Sequence, residues 1–172
     1  MKYKLLLLIF SMIAAVVASN LLVEVVINSW LTLGAFTYPV TFLINELTNF
    51  YYGPRCARRL IYFAFVVAFL LSLYLADFQI ACASGLAFLI SQLLDIYIFS
   101  KLRAKTWYWA PALAAIGASL IDTAVFFSLA FWGQGFLIIT LGLGDVAVKI
   151  AIDILLLMPF RFFVLGTRPR LA

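Results

Sequence analysis

The sequence contains no histidine, only two cysteines, and charge on just 11% of its 172 residues. Without histidine, the commonest metal ligand and the commonest general base are both missing. Cys56 and Cys82 have no neighbouring cysteine or histidine, so neither reads as a metal ligand or a catalytic thiol. No glycine-rich phosphate loop occurs, so direct use of a nucleotide by this chain is not expected. Low-complexity tracts and clear internal repeats are absent as well. The scarcity of charge is the most restrictive of these features, because a water-soluble domain of this length needs a polar shell. Nucleic-acid binding is also excluded, since the basic residues lie between apolar runs rather than in one patch.

What is present is apolar. Hydrophobic residues make up 67% of the chain and the mean hydropathy is +1.16. The expected fold is an all-α integral membrane protein. A span needs about 20 apolar residues, and six runs qualify, at about 5–23, 33–52, 60–76, 80–100, 107–131 and 142–165. Residues 1–172 thus read as one domain, a bundle of six transmembrane helices in contact with the lipid bilayer. Lysine and arginine fall before the first run, after the second (Arg55, Arg58, Arg59), after the fourth (Lys101, Arg103, Lys105) and after the sixth (Arg168, Arg170). The other connections hold none. By the positive-inside rule both the N- and C-termini are expected in the cytoplasm. The first run follows Lys2 and Lys4 and imitates a secretory leader, but it continues past Ala18 and is read as a span. Trp107, Tyr108 and Trp109 sit where an interfacial aromatic belt belongs. Cys56 is expected in a cytoplasmic loop and Cys82 near the outer end of the fourth helix, too far apart for a disulfide.

Against this background, polar residues inside the runs carry the information. Asn45 and Asn49 are four apart on the second helix, with Glu46 beside them. Gln92 and Asp95 share a face of the fourth helix, as Ser119 and Asp122 do on the fifth. Lys149 and Asp153 are four apart on the sixth. An ionised Asp well inside a bilayer costs about 2.5–3.5 kcal/mol on insertion scales, so such residues face protein, a cavity or a substrate. Bland alternatives stand beside the functional ones. Asn20 and Asn49 could serve only as interhelical glue. Lys149 and Asp153 could neutralise each other along their helix, and Glu46 could be solvated at the interface. Asp122 lies about fifteen residues from the start of its run and nine from its end, near mid-membrane. The ladder Ala110, Ala114, Ala118 leads to it and turns its face into the bundle. Ala14 with Ala18, and Ala81 with Gly85, form similar small stripes.

Three blocks of residues are similar to the queuosine precursor transporters, also described as the vitamin uptake transporter family. They are Thr41 to Gly53 with Arg55 and Arg58, then Ser91 to Phe99, then Gly117 to Phe126 continuing through Ala130-Phe131-Trp132-Gly133. Lys149 to Pro159 matches more weakly. The pairing of Gln92-x-x-Asp95 with Ser119-x-x-Asp122-Thr123 is the specific part, and none of it is a catalytic signature. Glu46 and Asn49 stand where the family more usually has other acidic residues. The resemblance implies a bacterial inner-membrane, multi-pass protein that imports 7-deazaguanine bases for tRNA modification, with no cofactor. Such a base presents an N1–H and an exocyclic amine side by side, which a carboxylate accepts as a pair. Its carbonyl takes a donor from a Gln or Asn amide, and its flat ring stacks on aromatics, here 17% of the chain.

Two other classes compete. One is the substrate-binding membrane subunit of an energy-coupling uptake system, which uptake by the chain alone would distinguish. The other is an intramembrane enzyme, for which no nucleophile–base pair or metal spacing is visible. Self-association and the driving force are left open by the sequence. For the site, Asp122 is expected in a central ligand position. Gln92 and Asp95 are expected about 15 Å nearer the cytoplasm, as a second layer facing Asn45 and Glu46 that gates release.

Overall fold

The computed structural model describes residues 2–22, 25–28, 31–75, 78–104, 107–132 and 136–166. Helices α1 (Lys2–Leu22), α4 (Pro54–Leu75), α5 (Phe78–Leu102), α6 (Trp109–Ala130) and α7 (Phe136–Val164) account for five of the six apolar runs. The second run is divided into α2 (Gly34–Thr37) and α3 (Pro39–Tyr52). Pro39 occupies the first position of α3, where its missing N–H is harmless to α3 but cannot continue the ladder of α2. Tyr38 between them keeps a right-handed helical conformation (φ −58°, ψ −42°), so the two pieces form one proline-interrupted helix. From Gly34 to Tyr52 it extends about 28 Å.

Several boundaries differ from those expected. The third run begins at Pro54 rather than near residue 60, so Arg55, Cys56, Arg58 and Arg59 lie in the first turns of α4 and not in a loop. Pro54 starts the helix, and nothing after it breaks one. Long arginine side chains reach water from a helix end while their stems stay against apolar surface. Helix α7 begins at Phe136 rather than 142, running through Gly142 and Gly144. The segment after α1, unassigned by the hydropathy pattern, holds two short antiparallel strands, β1 (Val26–Asn28) and β2 (Leu31–Thr32). At the other end of α3, Gly53 (φ +83°) stops the helix, its N–H donating to the Asn49 carbonyl.

Helices α4, α5 and α6, of 22, 25 and 22 residues, are each long and apolar enough to cross a bilayer. Their outer faces carry Phe63, Val66 and Leu70, then Leu86, Ile90 and Tyr97, then Leu113 and Leu120, all exposed. The interior instead holds Thr41, Asn45, Thr48, Asn49, Ser91, Gln92, Asp95 and Ser119 with no exposed surface. Apolar outside and polar inside reverses the arrangement of a water-soluble domain, and it is what lipid as solvent demands. Helix α3 is the axis of this arrangement. Ten of its 14 residues are buried, and it packs against α1, α4, α5, α6 and α7.

Small residues let the neighbours close in. Ala110, Ala114 and Ala118 are buried along α6, packed with Phe42, Leu47 and Phe50 of α3, Phe99 of α5 and Phe160 of α7. Gly85 of α5 receives the ring of Phe69 from α4, and a Cβ there would sit 2.8 Å from Phe69 Cδ2. Cys56 and Cys82 are half-buried and form no disulfide with each other.

Candidate functional site

Two polar networks occupy the interior, and they differ in how completely their atoms are paired. The first is built on Lys149 of α7. Its Nζ lies 2.9 Å from Asp122 Oδ2 of α6 and 2.5 Å from Asp145 Oδ2, one turn earlier on α7. It also donates to Thr123 Oγ1 at 3.3 Å, while Thr123 donates to Asp145 Oδ2 at 2.7 Å. The other oxygen of Asp122 accepts from the Tyr38 hydroxyl at 2.6 Å and from Ser91 Oγ of α5 at 3.2 Å. The ammonium stands 4.9 Å from the centre of the Tyr38 ring, a cation–π distance. Both Asp122 oxygens are engaged, and the network joins the α2–α3 junction, α5, α6 and α7.

The second network is built on α3 and α5. Asn45 Nδ2 donates to Asp95 Oδ2 at 2.9 Å and to the Gln92 carbonyl at 3.1 Å. Gln92 Nε2 donates to Thr41 Oγ1 at 2.7 Å, and Thr41 Oγ1 in turn donates to the Tyr38 carbonyl. One turn on, Asn49 Nδ2 donates to the Ile96 carbonyl and to Ser100 Oγ, tying α3 to α5. Across the interior, Ser119 Oγ of α6 donates to Asp153 Oδ2 of α7 at 2.7 Å. Glu46 is only 3% exposed, so it is not an interfacial, solvated acid.

This second set is unsaturated. Asn45 Oδ1, Glu46 Oε1, Gln92 Oε1, Asp95 Oδ1 and Asp153 Oδ1 are buried and have no hydrogen-bond partner. All five are acceptors. An unpaired buried acceptor costs about 1–3 kcal/mol, and carboxylates without counter-charge cost more. Glu46 lies within electrostatic reach of Asp95 and Asp153. A water-sized cavity of about 10 Å³ is bounded by Glu46 and Asp153 together with Phe42, Leu43, Pro111 and Leu156. Among the described residues no group of three or more acids or cysteines could hold a metal ion.

Of the residues singled out in the sequence, Asn45, Gln92 and Asp95 come together directly, with Glu46 next to them. Ser119 and Asp153 meet each other. Asp122 and Lys149 meet in the other network, and the expected 15 Å offset between Asp122 and the Gln92 layer is not found: Ser91, next to Gln92 on α5, donates to Asp122 Oδ1 at 3.2 Å, because α5 and α6 pack with these two turns level. Lys149 does not pair with Asp153 along the helix: its ion-pair partners are Asp122 and Asp145. The side chain of Asn20 lies outside the described residues. Tyr38 and Asp145 are not among the residues singled out in the sequence, and Thr41, Ser91 and Thr123 stand there only as parts of the family-like blocks, with no role assigned. For Asp145 the pattern contained a cue, since Asp145, Lys149 and Asp153 recur every four residues on one helix face.

Helices with lipid-compatible outer faces around a buried, acid-rich interior define a transmembrane protein with an internal polar site. The profile of the family described as "Putative vitamin uptake transporter" matches residues 32–78 and 72–164. The Escherichia coli (strain K12) queuosine precursor transporter is 30% identical over 173 aligned positions, covering 84% of this chain and 78% of that protein. The "Probable queuosine precursor transporter" of Haemophilus influenzae (strain ATCC 51907 / DSM 11121 / KW20 / Rd) is 32% identical over 160, covering 74% and 66%. No solved structure matches the chain. The chain belongs to the vitamin uptake transporter family.

Proposed function

We propose that this protein imports queuosine precursors, 7-deazaguanine bases, across the bacterial inner membrane for use in tRNA modification. In this reading it crosses the membrane six times with both termini in the cytoplasm, as the alternating bases suggest. The names of its relatives support the substrate class. The observation that carries the reading is the set of five buried oxygens that accept and lack a donor. A 2-amino-lactam edge supplies what they lack, with an N–H and an amine side by side. Asp95 is the carboxylate for that edge, held in place by Asn45, and the Asn45 and Gln92 amide oxygens flank it. Phe42, buried beside this set, offers a ring face for the flat base. A base lacking these donors leaves the acceptors unpaired and is rejected.

Asp122 and Lys149 have a different role in this proposal. Their network binds the α2–α3 junction to α5, α6 and α7, so it fixes how the site-bearing helices stand to one another. The cavity beside Glu46 holds about one water-sized group, far less than a bicyclic base. Entry of the base therefore requires these helices to part, and the Lys149 ion pairs are the contacts that such a motion must rearrange.

The test is uptake of a radiolabelled 7-deazaguanine by cells that lack their own route and express this chain alone. Accumulation that excess unlabelled base suppresses is the expected result. Uptake at the level of empty-vector cells, with the protein present in the membrane, would reject the reading.

A further inference from the structure

Helices α4 and α5 enclose an open groove of about 480 Å³ that the interior site leaves unused. Its walls recur every four residues on each helix: α5 presents Leu93, Tyr97 and Lys101, and α4 presents Arg58 and Tyr62. Arg58 lies in the first turns of α4 and Lys101 in the last turn of α5, so both cations stand at the same end of the pair. Both are exposed, as are the two tyrosines. No lining residue is acidic, and among the described residues no ion pair involves either cation. Lys101 Nζ lies 5.7 Å from the centre of the Tyr97 ring, a cation–π distance that keeps these two lining side chains together.

We propose that this groove binds one anionic phospholipid, with its headgroup phosphate on Arg58 and Lys101 and an acyl chain along Leu93. The polarity along the groove is that of the lipid. From Lys101 to Leu93 the helix descends about 12 Å, and the wall passes from charge through tyrosine to hydrocarbon. A phosphodiester accepts hydrogen bonds and donates none, the complement of a guanidinium and an ammonium without anionic partners. Tyrosine suits the level between, where one end of the ring is apolar and the other wet. Basic pockets between transmembrane helices are places where anionic headgroups lodge. A soluble phosphate would engage the two cations but leave the apolar length of the groove empty. A second copy of this chain is a poor occupant, because a two-fold contact through this face would bring two sets of Arg58 and Lys101 together. The lipid site is independent of what the interior binds.

The test titrates the purified full chain in detergent with dioleoylphosphatidylglycerol or dioleoylphosphatidylcholine and counts bound lipids by native mass spectrometry. One base beside an anionic headgroup strengthens binding about fivefold, so two give about 25-fold. The expected result is one tightly held phosphatidylglycerol per chain, preferred over phosphatidylcholine by about tenfold or more. Arg58→Gln and Lys101→Gln should each lower that preference about fivefold, and the double variant should fall below about threefold. Arg59→Gln, beside Arg58 but outside the groove, should keep the parent's preference, which separates this site from a general basic surface. A parent preference below about threefold would overturn the site. So would a double variant that keeps the preference, or an equal loss in Arg59→Gln. Displacement of the lipid by equimolar glycerol phosphate would assign the cations to a soluble anion and overturn it as well. Exclusion of the lipid from a dimer would assign the face to a second copy, with the same consequence. The comparison of the two lipids on the parent protein decides the question even if a variant does not fold.

Discussion

Replacing Lys149 with Met removes the only cation from a buried network and leaves two carboxylates facing one another. The Lys149 side chain is 7% exposed and its ammonium contacts Asp145 at 2.5 Å and Asp122 at 2.9 Å. Breaking a buried pair by deleting one partner costs about 3–5 kcal/mol, because the charge left behind is uncompensated. Asp122→Asn is the milder change. Lys149 keeps Asp145, and Tyr38 keeps an oxygen to donate to, so we predict a loss of about 1–2 kcal/mol. For a chain of this length 1 kcal/mol shifts the melting temperature by about 2–4 °C. Lys149→Met should therefore lower it by about 6–20 °C, and Asp122→Asn by about 2–8 °C. Because the two residues touch, the double variant should lose less than the sum of the two. Intrinsic-fluorescence melting in detergent measures all three. A Lys149→Met protein that melts within 3 °C of the parent, or losses that simply add, would refute the claim that this network ties the helices together.

Three other outcomes follow from the same geometry. Gly85→Ala places a methyl 2.8 Å from Phe69 Cδ2 and should destabilise the α4–α5 packing by about 1–3 kcal/mol, read as a lower melting temperature with ligand selectivity unchanged. Tyr38→Phe removes the 2.6 Å bond to Asp122 and should cost about 1.5–3 kcal/mol of stability; a melting temperature equal to the parent's would show that the bond contributes nothing. A fluorescent-protein fusion after Arg170 should glow and an alkaline phosphatase fusion there should be silent, and the reverse pair would invert the topology.

The apolar runs were legible because lipid-facing helices leave long, almost uninterrupted hydrophobic segments. Their ends were less so. Arg55, Arg58 and Arg59 read as a loop by charge, yet they belong to α4, since arginine is compatible with a helix emerging into water. Pro39 lay inside the second run, and the division it makes into α2 and α3 follows from its missing N–H. Within the site, the approach of Gln92 and Asp95 to Asn45 was readable from same-face spacing on two helices. The partner of Lys149 was not. Asp145 and Asp153 both lie four residues away, and sequence spacing cannot choose between them. The rotation of α7 against α6 decides it, by placing Asp122 and Thr123 beside the Asp145 side of the ammonium. Tyr38 escaped notice for the same reason: its hydroxyl reaches a residue 84 positions away.

The central claim is that the substrate base sits on the unpaired oxygens around Asp95, and not on the saturated carboxylate of Asp122. Equilibrium binding of a labelled 7-deazaguanine to Asp95→Asn and to Asp122→Asn tests it most directly. Asp95→Asn puts an amine where the ligand also donates, so affinity should fall by about 3 kcal/mol, roughly 100-fold. Asp122→Asn should weaken binding by a clearly smaller factor while lowering the melting temperature. If Asp122→Asn abolishes binding and Asp95→Asn binds like the parent, the base sits on Asp122 and the account is contradicted.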